Sequence, residues 1–264
     1  MELPLFPLNT VLCPGIALPL HVFEDRYRAM VRHCLESQSP FGVVLIRQGR
    51  EVGTGAISFT GIGTIAEIRD AGAYEDGRYD LLVVGTKRFE IRRVLSGRRP
   101  YLMAEVDVLT EDVGDEDTAH RLAMTATRRF VKYLELLQPR SGETADEIDV
   151  RVEVETEDDP EAEEDSEAEA IATSDAGAEG EGRDPQGTPP TRRVAIPDDP
   201  TVLSYLLAGI LQIEAPRRQA LLEAETTERR LRGLLTLIDR EITLLQRRLR
   251  FFRPDVRMAG PRRS

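Results

Sequence analysis

The side chains best suited to chemistry are few: the chain of 264 residues holds three histidines and two cysteines. Cys13, His21, His33 and Cys34 are of the types that bind tetrahedral zinc. The adjacent His33 and Cys34, however, point about 100° apart on a helix and cannot easily share one ion. Cys34 is therefore expected to be a buried small hydrophobe. His-Glu-x-x-His, Cys-x-x-Cys and Gly-x-Ser-x-Gly do not occur, which removes the common zinc-hydrolase, zinc-ribbon and serine-hydrolase signatures. Gly-x-x-x-x-Gly-Lys-Ser/Thr is missing too, so a nucleotide-driven motor is not encoded here. Gly61-Ile-Gly63-Thr-Ile-Ala66 has the spacing of a dinucleotide fingerprint, but that motif must open a helix whose amides face a pyrophosphate. Here alternation predicts a strand, and the glycines are expected to relieve a bend or bulge. No catalytic residue, cofactor or metal is expected, and the chain does not read as an enzyme.

Charge divides the chain. The net charge is −12, yet residues 143–184 hold nineteen acidic side chains against Arg151 and Arg183. That stretch carries −17 and leaves a mildly basic remainder of +5. Residues 141–193, rich in Glu, Asp, Gly and Pro and nearly free of aromatics, cannot bury enough surface to offset their ordering entropy, so a disordered acidic insert is expected. Arg229, Arg230, Arg232, Arg247, Arg248, Arg250, Arg253, Arg257, Arg262 and Arg263 could meet phosphates. They are read as the solvated side of a helix and its tail, with no stacking motif beside them, so nucleic acid is disfavoured as a partner. The start Met1-Glu2-Leu3-Pro4 lacks the basic, unbroken apolar pattern of an export signal, and no stretch reaches the roughly 20 apolar residues of a membrane helix. A cytoplasmic location with free thiols at Cys13 and Cys34 is expected.

The elements that must position these residues fall into two halves. Residues 1–110 read as β-rich with one helix. Phe41–Ile46 suits a strand buried on both faces, followed by Ile57–Phe59, by Ile62–Ile68 in alternation, by an Asp76-Gly77 hairpin and by a return strand Tyr79–Val84. Gly85–Lys87 is expected to turn the chain into Phe89–Val94, with Tyr101–Val108 closing a small barrel or sandwich. Between them, Tyr27, Met30, Val31, Cys34 and Leu35 share one face of a helix over 24–37, with Arg26, Arg28, Arg32 and Glu36 opposite. The second half is helical on both sides of the insert. Ala119, Leu122, Ala126, Phe130, Leu134 and Leu137 predict a helix ending at Pro139 within residues 111–140. In residues 194–252, Asp199-Pro200 caps a second helix and Pro216 opens a third. Leu231, Leu235, Ile238, Ile242, Leu245 and Leu249 form a heptad seam on the last, over 227–251. The seam is expected to face its own bundle, with pairing to a second copy as the other reading, and residues 253–264 form a basic tail.

Leu5-Phe6-Pro7-Leu8, Val11-Leu12, Pro14-Gly15 and Pro19-Leu20-His21-Val22-Phe23-Glu24 with Arg26-Tyr27 resemble the opening of the Lon substrate-binding domain. The likeness continues through Gly63–Ile68, the Asp76-Gly77 hairpin, Leu81–Gly85 with Arg88-Phe89, and Pro100–Leu102. The resemblance implies an α+β protein in which an N-terminal PUA-like β pseudo-barrel with one packed helix precedes a C-terminal helical bundle. It also implies a non-catalytic module that engages polypeptide clients, such as unfolded or degron-bearing proteins, as an adaptor or chaperone-like factor in protein quality control. An RNA-binding PUA-like role is the alternative. The motif residues themselves read as structural: Pro7, Pro14 and Pro19 shape edges and turns, Phe23 and Tyr27 anchor the helix, and Glu24 pairs with Arg26 or a barrel arginine. Binding is expected at an exposed apolar patch or in a groove between barrel and bundle.

Overall fold

In the computed structural model the residues described are 1–48, 58–95, 97, 99–137, 150–151, 192–193 and 197–251. Ile57, Pro139, nearly all of the acidic insert and the basic tail lie outside them. Two compact units are present, one formed by residues 1–137 with 197–264 and one by residues 138–196. In the second, the described residues form only a short parallel pairing of β8 (Val150–Arg151) with β9 (Arg192–Arg193).

Seven strands make the sheet of the first unit: β1 (Glu2–Leu8), β2 (Ala17–Val22), β3 (Phe41–Gln48), β4 (Ser58–Phe59), β5 (Ile62–Ala73), β6 (Tyr79–Leu95) and β7 (Leu102–Val108). The order β1-β7-β6-β5-β3 returns to β1 through a parallel β1–β3 pairing, so five strands close into a ring. All other pairings in this sheet are antiparallel. Alternate side chains feed two cores, as a period of two requires. Leu3, Leu5, Val44, Ile65, Ala104 and Val106 gather with the fully buried Phe89. Phe6, Leu8, Phe41, Val43, Leu81 and Val83 face the other way, against Tyr27, Met30, Val31 and Cys34 of α1 (Asp25–Ser37). Burying each such aliphatic side chain contributes roughly 1.5–3 kcal/mol, which holds α1 to the sheet.

Two expectations need correction. Gly85–Lys87 does not turn the chain, because β6 runs unbroken from Tyr79 to Leu95. The glycine is needed for close approach: a Cβ at Gly85 would lie 2.4 Å from the Cys13 carbonyl oxygen. Phe23 does not anchor the helix either: it is 48% exposed, and Tyr27 alone is buried. In β1, Pro7 is paired on one side only, with Val44 of β3, as an edge position requires. The β1 prolines are tolerated because β7 pairs with Glu2–Leu5 and β3 with Leu5–Leu8, so Pro4 and Pro7 each occupy a stretch with one neighbour.

The helical part comprises α2 (Glu116–Leu137), α3 (Pro200–Ile210), α4 (Ala215–Leu222) and α5 (Thr227–Phe251), with α2 and α3 both packed on α5. Asp115 Oδ1 accepts from the Thr118 N–H at the start of α2, and Asp199 Oδ1 accepts from the N–H groups of Thr201 and Val202 at the start of α3. Each cap satisfies backbone donors that the helix leaves free. α5 departs from a heptad seam: Leu231, Leu234, Ile238 and Ile242 are buried, while Leu235 and Leu245 are only partly so. The stripe follows the 3.6-residue period of a straight helix against its neighbours.

α2, α3 and α5 begin at the same end. The Asp115 N–H lies 3.4 Å from Glu228 Oε2, Thr201 Oγ1 is 2.8 Å from Thr227 Oγ1, and Arg129 pairs with Asp239 further along. The end of α2 and the start of α3 are therefore separated by about the length of α2, whose 22 residues span about 33 Å. A fully extended chain covers that in about ten residues. Deleting residues 155–188 leaves more than enough, and is expected to leave thermal stability unchanged or raised by under about 1 kcal/mol, read by calorimetry. A large loss of stability would assign the insert a structural role.

Candidate functional site

Where barrel and helices meet, a polar cluster is built around Glu111. Arg88 of β6, 2% exposed, donates through Nε to Glu111 Oε1 (2.9 Å) and through Nη2 to Oε2 (3.2 Å). Its Nη1 donates to the carbonyls of Leu222 and Ala224 at the end of α4. Arg230 of α5, 0% exposed, donates to Glu111 Oε2 (3.2 Å), to Ser204 Oγ (2.9 Å) and to the Leu221 carbonyl. Its guanidinium lies 3.8 Å from the ring centroid of Tyr205, whose hydroxyl donates to both Glu111 oxygens. Burial alone would raise the Glu111 carboxyl. Hydrogen bonds from Tyr205 and Arg88, with the charges of Arg88 and Arg230, outweigh it and hold the group below the ordinary carboxylate range. Burial pushes the Tyr205 phenol up, so it remains a donor at neutral pH. Burial likewise lowers Arg230.

Two guanidiniums thus share one carboxylate. Arg88 was expected as a motif residue with a structural part, and it ties three elements together. Arg230 was expected on the solvated side of α5, and its complete burial corrects that. Its register carries the missed signal: Arg230 lies three residues after buried Thr227 and four before buried Leu234, on the inner stripe. Nothing in the local sequence marks Glu111 or Tyr205. Of the other α5 arginines, Arg229 pairs with Glu225 and Arg232 with Glu228, which reduces the positive field available to phosphates.

Beside this cluster lies a cleft of about 480 Å³, lined by Pro14, Gly15, Thr86, Lys87, Val108, Leu109, Thr110, Glu111, Thr201, Val202 and Tyr205. It occupies the expected groove between barrel and helices, with Val108 and Val202 42% and 50% exposed. The remaining motif residues divide by location. Phe6 and Leu8 are core, and the Phe6 ring centroid is 4.4 Å from that of Tyr27. Glu24 precedes α1 and pairs with Arg26 at 3.1 Å, whose guanidinium stacks over Tyr27. Gly15 has φ +77°, which only glycine adopts freely. Gly63 lies within β5, so no helix follows it and no phosphate cradle forms. A Cβ there would be 2.4 Å from the Val43 carbonyl oxygen and 2.7 Å from the Phe89 ring.

Pro19 and Phe23 belong to a second surface. On the outer face of β5, β6 and β2, Leu82 is paired with Pro19 and Asp80 with His21. Phe23, Tyr74 and Leu82 are 48%, 47% and 42% exposed there. Asp80 orders the face, with His21 Nδ1 2.6 Å from Oδ1 and the Tyr74 hydroxyl donating to Oδ2 at 2.5 Å. The Phe23 ring stacks beside His21 at 6.1 Å.

Among the described residues no group of His, Cys, Asp and Glu could hold a metal ion, and no helix is long and apolar enough to cross a membrane. Cys13 and Cys34 are free and buried, and burial raises both thiols, Cys13 to about 11.

Lon protease 2 of Myxococcus xanthus is 28% identical over 147 residues, 55% of this chain and 18% of that protein. The Lon protease of Anaeromyxobacter dehalogenans is 28% identical over 51% of this chain and 16% of its own length. The match therefore spans less than a fifth of these relatives. Among solved structures, the Lon N-terminal domain protein from Xanthomonas campestris superposes with a TM-score of 0.52 at 23% identity, covering 89% of this chain and 98% of that one. The N-terminal domain of Mycobacterium avium complex Lon protease gives 0.55 at 17%, covering 90% and 98%. Both share the fold, a mixed arrangement of helices with a mainly antiparallel sheet. The family profile of the ATP-dependent protease La (LON) substrate-binding domain matches residues 2–240, and the chain belongs to that family.

Proposed function

We propose that this chain is a non-catalytic polypeptide-binding module that engages clients through exposed apolar side chains, in the manner of an adaptor or chaperone-like factor. The observation that carries the reading is the outer face of β5, β6 and β2. Phe23, Tyr74 and Leu82 stand about half exposed there beside Pro19 and His21, while the alternate residues Leu81 and Val83 are buried. Grouped large apolar side chains on a polar-rimmed surface are the usual mark of an interaction site. The family supports the same reading through its substrate-binding designation. In this reading residues 1–110 form a PUA-like pseudo-barrel, residues 111–140 and 194–252 form one bundle, and the motif residues other than Pro19 and Phe23 serve as scaffold.

Binding of fluorescein-labelled, reduced and carboxymethylated α-lactalbumin, followed by anisotropy, tests the proposal. The triple variant Phe23→Ser, Tyr74→Ser, Leu82→Ser is expected to bind at least about tenfold more weakly with its circular dichroism unchanged, since truncating central aromatic contacts costs about 2 kcal/mol. No binding by the wild type, or equal binding by the variant, would overturn it.

A further inference from the structure

The β6 strand changes partner midway along one side. β2 accompanies it as far as Val84, and β7 takes over at Phe89. At this changeover β6 carries a bulge, because Thr86 and Lys87 together stand opposite the single residue Ile65 of β5. Bulges re-aim side chains and interrupt pairing. The gap is closed at both ends: the Gly15 N–H donates to the Gly85 carbonyl and the Gly85 N–H to that of Ile16, while the Leu109 N–H donates to the Arg88 carbonyl. What remains open is a notch at Thr86–Lys87, which forms one wall of the 480 Å³ cleft. An extended segment can enter such a notch but cannot run through it as an added strand.

Its chemistry is mixed in a specific way. Val108, Leu109, Val202 and Pro14 supply an apolar lining. Lys87 is exposed, and among the described residues it has no hydrogen-bond or ion-pair partner. The one carboxylate on the wall, Glu111, is already engaged by Arg88, Arg230 and the Tyr205 hydroxyl. Two guanidiniums on one carboxylate leave a unit of positive charge behind the wall, and Lys87 adds a second at the rim. Counted over the lining residues, a negative group entering beside Lys87 therefore meets net attraction, which the Asp199 carboxylate capping Thr201 and Val202 offsets in part at the α3 end.

We propose that this cleft captures the C-terminus of a polypeptide, its terminal carboxylate against the Lys87 ammonium and an apolar last side chain against Val108 and Val202. The notch explains why a chain end fits where an internal segment does not, and the free cation beside apolar walls matches the two chemistries of such an end. The proposal rests on the reading of the chain as a polypeptide-binding module but uses a different surface from the Phe23–Tyr74–Leu82 face.

A fluorescein-labelled hexapeptide ending in Leu-Val with a free carboxylate, its C-terminal amide, and an amidated version with aspartate before the Leu-Val are the probes, read by anisotropy. The free acid is expected to bind about tenfold more tightly than the amide at low salt. That preference is expected to vanish in Lys87→Met and to return in Lys87→Arg. Equal binding of acid and amide, an unchanged preference in Lys87→Met, or aspartate-amide binding as tight as the free acid would each overturn the capture of a chain end. Unfolded α-lactalbumin blocked at its C-terminus separates the two proposals. Lys87→Met should bind it normally, and loss confined to the Phe23, Tyr74, Leu82 triple variant leaves the cleft to be judged by the hexapeptides alone.

Discussion

Glu111→Ala is expected to destabilise the protein by about 3 kcal/mol, whereas Arg230→Met should cost only about 1 kcal/mol. Both substitutions break the same ion pair, and the asymmetry comes from counting charges. Removing the carboxylate leaves Arg88 and Arg230, 2% and 0% exposed, facing each other without compensation. Removing Arg230 leaves a neutral Arg88–Glu111 pair, a methionine in much of the same space, and the Ser204 hydroxyl and Leu221 carbonyl without that donor. The Glu111 side chain is itself 32% exposed, so water reaches it and the expected loss sits at the low end for a broken buried pair. Urea midpoints of the two variants check this, and equal costs or the reverse order would refute the shared-carboxylate account. The pH dependence follows the same logic. The folded-state pKa of Glu111 is depressed, so its contribution is fully present above the ordinary carboxylate range and is lost as pH falls through the folded value. The stability gap between wild type and Glu111→Gln, wide at pH 7, is therefore expected to narrow as pH drops below about 4.

Gly63→Ala is expected to cost about 3 kcal/mol while Gly61→Ala stays within about 0.5 kcal/mol. A methyl at Gly63 would lie 2.4 Å from a backbone oxygen of β3 and 2.7 Å from both Phe89 and Val44, so the sheet itself must give way. At Gly61 nothing lies within 4 Å. The two glycines belong to the same fingerprint-like run, so the contrast also tests its meaning. A phosphate cradle would need both, whereas a strand packed on Phe89 needs only the second. Thermal melts of the two variants decide, and similar losses would contradict the packing argument.

Much of the fold was legible because it is written in local periods. The α1 stripe of Tyr27, Met30, Val31 and Cys34, the Asp76-Gly77 hairpin and the Asp199-Pro200 helix start all appear where spacing and capping chemistry place them. The family-like run from Leu5 to Tyr27 likewise pointed to the substrate-binding domain that the profile matches. Local reading failed where a residue's job depends on a distant segment. Gly85 looks like a turn residue, yet it sits inside a strand because the Cys13 carbonyl presses on it from 72 positions away in sequence. Phe23 looks like a core aromatic by type and neighbourhood, yet it faces outward at the end of β2.

The sequence by itself determined the acidic stretch that interrupts the helical part, most element positions and the family. Each depends on hydrophobic period, composition or short-range chemistry, which are properties of a chain segment alone. Only the tertiary structure decided which charged side chain goes inside and which apolar ones stay out. Arg230 is buried because Glu111, 119 residues earlier, and Ser204, 26 earlier, meet it where the barrel joins the helices. The cleft with Lys87 exists because β2 and β7, with the backbone bonds of Gly15, Ile16 and Leu109, leave Thr86 and Lys87 of β6 uncovered. An ion pair or a gap in a sheet is a relation between segments, and no period within one segment encodes it.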